Sequence, residues 1–82
     1  MQYVDVVFNQ GNGKTYLYEW EDSFRPSIKE GDRVVVPGNW ANAEPQIATA
    51  QSVSNVRSTK GYQGALSRLV GVYDSNGQLF EG

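Results

Sequence analysis

Two alternating runs joined by a turn rich in asparagine and glycine constrain this chain more than any other feature. Over residues 2–8, Val4, Val6 and Phe8 fall on one face, and over residues 14–20, Tyr16, Tyr18 and Trp20 do the same. A period of two is that of a half-buried strand. Between the runs stands Asn9-Gln10-Gly11-Asn12-Gly13, and Asn-Gly readily takes the positive φ angles of a tight hairpin. The first two strands are therefore expected to pair antiparallel.

The remaining chain continues in short extended pieces. Residues 21–30 are polar and contain Pro26, and Gly31-Asp32 makes a turn just before the β-branched run Val34-Val35-Val36 that Pro37 ends. Residues 38–45 read as a loop with Trp40, and residues 46–56 as a strand whose apolar parity slips near 53–56, the mark of a bulge. Residues 57–65 hold Gly61 and Gly64 and read as a loop. Residues 66–73 read as a fifth strand preceded by a helical turn, residues 74–77 repeat the Asn-Gly signal, and residues 78–80 form a short return strand. The expected fold is all-β, a single domain over residues 1–82, in the form of a small SH3-like barrel of five to six short antiparallel strands. Closure or near-closure removes exposed strand edges at this size.

With 82 residues the chain buries about 60 to 65% of its unfolded surface, so the core is thin. No cysteine and no histidine stand in the sequence. Disulfide staples, thiolate nucleophiles, imidazole bases and Cys/His zinc sites are thereby excluded. No enzyme, cofactor or metal is expected. The opening residues show no basic stretch followed by a long apolar run, and the expectation is a cytoplasmic protein. The net charge is −2, but residues 1–44 hold seven acids against four bases, while residues 45–73 hold no acid and three bases, Arg57, Lys60 and Arg68. A local basic surface is compatible with the acidic total.

Each candidate for chemistry has a plainer reading beside it. Gly11-Asn12-Gly13-Lys14-Thr15 resembles the end of a phosphate-binding loop, but Phe8 stands where the first glycine is required and a strand pattern, not a helix, follows Lys14. Glu19, Glu21 and Asp22 cluster at the end of the second strand, where carboxylates are usually solvated. The stripe Tyr16, Tyr18, Trp20 suits base stacking, although a thin core needs that aromatic area. Trp40 and Tyr62 fall in loops and have less structural reason to be aromatic. Arg57, Lys60 and Arg68, interleaved with Tyr62 and free of acids, form the best nucleic-acid signal in the chain, against the reading of an ordinary solvated face.

Four stretches, Tyr3-Val4-Asp5-Val6-Val7, Lys14-Thr15-Tyr16-Leu17-Tyr18, Ile28-Lys29-Glu30-Gly31-Asp32-Arg33-Val34-Val35-Val36-Pro37 and Leu69-Val70-Gly71-Val72-Tyr73-Asp74, resemble the amino-terminal DNA-binding domain of the primosomal replication-restart helicase PriA. The resemblance implies a small barrel-like fold whose loops hold the three-prime end of a DNA strand. It places the aromatic of that site on Tyr16, a backbone amide donor on Gly38, and the basic residue, approximately, on Arg68. The acidic residue falls on Leu17, which accepts no hydrogen bond. With the helicase motor lacking, the resemblance implies a free-standing accessory protein of phage or plasmid type, or a piece of something larger.

Together these readings give a non-enzymatic module expected to bind single-stranded or fork DNA through Tyr16, Gly38, Trp40, Arg57, Lys60, Tyr62 and Arg68. The alternative is a protein-interaction module anchored by Trp40 and Tyr62, since aromatics are enriched at binding hot spots. Oligomeric state stays open.

Overall fold

The first hairpin forms in the register that alternation demands. Strands β1 (Gln2–Val7) and β2 (Tyr16–Trp20) pair antiparallel, with Gln2 opposite Trp20, Val4 opposite Tyr18 and Val6 opposite Tyr16. Val4 and Val6 are fully buried, whereas Tyr3, Asp5 and Val7 alternate with them on a half-exposed outer face. The computed structural model describes residues 1–8, 13–23, 26–38, 43–61 and 63–81.

Four further antiparallel pairings extend the sheet through β3 (Arg33–Val36), β4 (Gln46–Ser54), β5 (Gly71–Tyr73) and β6 (Leu79–Glu81), in the order β2-β1-β4-β3-β5-β6. The fold is all-β, with no helix among the described residues. The expected helical turn before β5 is absent: residues 65–67 run on without regular structure, and the expected strand over 66–73 is reduced to β5 with an isolated bridge at Arg68.

That bridge closes the sheet. The Glu19 amide donates to the Ser67 carbonyl at 3.1 Å and the Leu69 amide to the Glu19 carbonyl at 3.0 Å, so residues 67–69 run parallel to β2. One residue later, the Val70 amide donates to the Val35 carbonyl of β3 at 2.8 Å. A single segment thus joins β2, at one end of the strand order, to β3, and the sheet curls into a small barrel with the β5–β6 hairpin attached.

A bulge in β4 explains the parity slip. Asp5 faces Ser52 but Val6 faces Ala50, which leaves Gln51 as the extra residue. Apolar positions therefore move from even numbers, Ala48 and Ala50, to the odd Val53, and all three still meet the core. The slip lies at Gln51, not over 53–56 as the apolar pattern suggested. Turns hold where glycine permits: Gly31 has φ +92°, and the Asp32 amide donates to the Lys29 carbonyl at 3.0 Å, the geometry of a type II turn.

The core gathers Val4, Val6, Trp20, Ile28, Val34, Val36, Ala48, Ala50, Leu69 and Val72, with Phe8, Tyr18, Val53 and Phe80 packed around it. Ile28 enters from the loop between β2 and β3. Two hydrogen bonds with Gln2 hold it there, Ile28 N to Gln2 Oε1 at 2.8 Å and Gln2 Nε2 to Ile28 O at 3.0 Å, while Trp20 Nε1 donates to the Pro26 carbonyl at 3.0 Å. Among the described residues, no helix is long and apolar enough to cross a membrane.

Candidate functional site

Pairing of β1 with β4 brings two parts of the chain together that sequence order keeps apart. The outer faces of β1, β2 and β4 form the floor of a groove of about 880 Å³, and residues 56–61 form its wall. Tyr3, Asp5, Leu17 and Ser52 lie on the floor; Arg57 and Lys60 lie in the wall. Its size falls within the range of about 300 to 1,000 Å³ common to ligand sites.

The wall is organised by its own side chains. Gly61 turns the chain at φ +79°, Ser58 Oγ accepts the Lys60 amide at 3.1 Å, and Arg57 Nη2 donates to the Gly64 carbonyl at 2.6 Å. The Gln63 side-chain amide sits 3.2 Å from each of the carbonyl oxygens of Ser58, Lys60 and Gly61. These hydrogen bonds tie Arg57, Ser58, Lys60, Gly61, Gln63 and Gly64 to one another. The Lys60 ammonium makes no hydrogen bond or ion pair among the described residues. On the floor, Ser52 Oγ donates to Asp5 Oδ2 at 2.8 Å, across the strand pair and beside the bulge.

The residues singled out in the sequence divide into separate places. Arg57 and Lys60 share the groove. Arg68 does not line it: Arg68 Nε lies 3.2 Å from Glu19 Oε1, an exposed pair worth only about 0 to 1 kcal/mol. Tyr16 projects from the opposite face of β2, is 45% exposed, and meets Phe8 edge-on with ring centroids 5.8 Å apart. It borders a depression of about 150 Å³ with Val36 and Pro37, and the exposed Gly38 follows directly. Trp40 and Tyr62 lie outside the described residues.

The aromatic stripe of β2 proves to be graded: Trp20 is buried, Tyr18 half-buried and Tyr16 exposed. Burial, followed by the neighbouring Tyr16, raises the Tyr18 hydroxyl above the usual tyrosine range. Lys14 is followed within two residues by β2, where a phosphate-binding loop requires a helix. The acidic cluster is also dispersed. Glu19 engages Arg68, Glu21 accepts Ser23 Oγ at 2.7 Å and Ser23 N at 3.1 Å, and Asp22 accepts the Met1 amino group at 3.0 Å. The hydrogen bonds from Ser23 hold the Glu21 carboxyl below its usual range, and the Met1 amino group does the same for Asp22. Among the described residues, no group of three or more His, Cys, Asp or Glu is placed to hold a metal ion.

Tyr3, Asp5 and Ser52 line the groove without belonging to any motif of the sequence. One signal was present: aspartate is depleted in strands, and Asp5 stands in the middle of one, between valines. No protein-family model, no curated protein and no solved structure matches the chain.

Proposed function

We propose that this chain is a non-catalytic binding module and that its groove takes single-stranded DNA. The reading rests on one observation: Arg57 and Lys60 line the same groove whose floor carries the aromatic Tyr3. Cations that follow a phosphate backbone, beside an aromatic on which a base stacks, are the physical requirements for binding a single strand. The wall comes from the acid-free part of the chain, and hydroxyls of Thr15, Ser58 and Thr59 add neutral donors for phosphate and sugar oxygens. The resemblance to the DNA-binding domain of PriA supports the same class of ligand, and with it a role as a phage- or plasmid-type accessory protein. In this reading the ligand lies on the outer face of β2, away from Tyr16 and Gly38.

Fluorescence anisotropy at low salt with a labelled single strand tests the proposal. Two phosphate contacts give a slope of log K against log salt of about −1.4, and Lys60→Ala flattens it by about 0.7. Tyr3→Ala lowers affinity by about 1 to 3 kcal/mol without changing the slope. Arg33→Ala, on the outer face of β3, leaves both unchanged. Failure to bind at high micromolar protein overturns the reading.

A protein-interaction module is the second reading, and a specific observation favours it. Ile47 is 56% exposed on β4 and Leu79 is 38% exposed on β6, and half-buried Val35 lies between them on the same outer face. An apolar strip of this kind suits a protein partner. Pull-down with Ile47→Asp as the comparison separates this reading from the first.

A further inference from the structure

The carboxylate of Asp5 is the feature of the groove that phosphate binding alone leaves unexplained. It is half-buried on the floor of the groove that Arg57 and Lys60 also line. Ser52 Oγ fixes its orientation by donating to Oδ2, and Oδ1 accepts no hydrogen bond among the described residues. Lys60 forms no ion pair with it among those residues. A carboxylate so placed repels a polyanion unless the ligand also presents a hydrogen-bond donor to it.

A nucleotide combines both features, phosphate on one side and base edge on the other. Cytosine presents the N4 amino group, for which aspartate is a fitting acceptor. Thymine presents the O4 carbonyl at the same ring position, and two acceptors facing each other repel. Thymine differs further in its C5 methyl and its N3–H, so the share of the preference that Asp5 sets is the part that changes in Asp5→Asn.

We propose that Asp5, oriented by Ser52, is a specificity-determining residue that makes the groove prefer bases bearing an exocyclic amino group, cytosine over thymine in the simplest comparison. This rests on the single-stranded DNA reading above. The preference carries a reciprocal signature. Neutralising Asp5 removes the acceptor for cytosine and also removes the repulsion of thymine strands.

The experiment compares oligo-dC and oligo-dT of equal length by fluorescence anisotropy, with wild type and Asp5→Asn. Wild type binds oligo-dC about tenfold tighter than oligo-dT, the scale of a hydrogen bond to a charged group. Asp5→Asn keeps an oxygen for Ser52 and retains the strand pair, which an unchanged melting curve checks. In that variant oligo-dT binds more tightly than to wild type, and the two ligands come within about threefold of each other. Equal binding of both oligonucleotides by wild type overturns the inference while leaving the DNA reading in place. The same holds if the preference persists in Asp5→Asn. Binding of neither oligonucleotide overturns both.

Discussion

Gln2 is the one buried polar side chain among the described residues, 5% exposed, and its amide acts toward Ile28 as a neighbouring strand would, donating once and accepting once. Replacement by methionine keeps the length and volume of the side chain but leaves the Ile28 N–H and C=O without partners in a dry setting. At about 1 to 3 kcal/mol for each buried orphan, Gln2→Met is expected to destabilise by about 2 to 6 kcal/mol. Urea unfolding reads this directly, and a loss below about 0.5 kcal/mol contradicts the role assigned to Gln2. Alternation in the sequence identified the face on which Val4 and Val6 lie but could not identify this clamp. Periodicity reports which way a side chain points, and says nothing of a backbone partner that arrives from 26 residues away. Asp5 was obscure for a related reason. Its significance depends on Ser52 and on a loop that meets it only after β1 and β4 have paired.

Turns and strands were more legible, because their causes are local. Residues 74–77 form the expected turn: the Asp74 carboxylate accepts the amides of Asn76 at 2.9 Å and Gln78 at 2.8 Å, and Gly77 takes φ +80°. The hairpin it joins is close-packed at Gly71. A Cβ there would lie 2.9 Å from the Phe80 carbonyl oxygen and 2.9 Å from Leu79 Cδ1. Leu79 can rotate away, but the Phe80 carbonyl belongs to the paired strand and cannot move without opening β5 from β6. Gly71→Ala is therefore expected to destabilise by about 1 to 3 kcal/mol, as overpacking does. Thermal melting checks it, and a neutral result would show that the hairpin gives way easily. The span over 66–73 was less legible because two different neighbours share it, β2 before Val70 and β3 after, so no single alternation runs along it.

At the scale of the whole molecule, the all-β class followed from alternation and turn residues, whereas the pairing of β1 with β4 did not. Arg57 and Lys60 stood out as bases in an acid-free stretch, yet only that pairing carries their loop to Tyr3. The closure at Glu19 brings a further consequence, for the speed with which this chain reaches its fold. Asp5 meets Ser52 across 47 residues, and Glu19 meets Arg68 across 49. Contacts so distant require long loops to close before they are rewarded, which places folding in the range of about milliseconds to seconds rather than microseconds. Because the closing segment pairs with both β2 and β3, it is expected to dock late, after the rate-limiting step. Leu69→Ala is then expected to accelerate unfolding while leaving the folding rate nearly unchanged, a φ-value close to zero. Stopped-flow fluorescence, with Trp20 as the buried reporter, measures both limbs. A folding rate that drops in proportion to the lost stability would instead make closure the nucleus of the barrel.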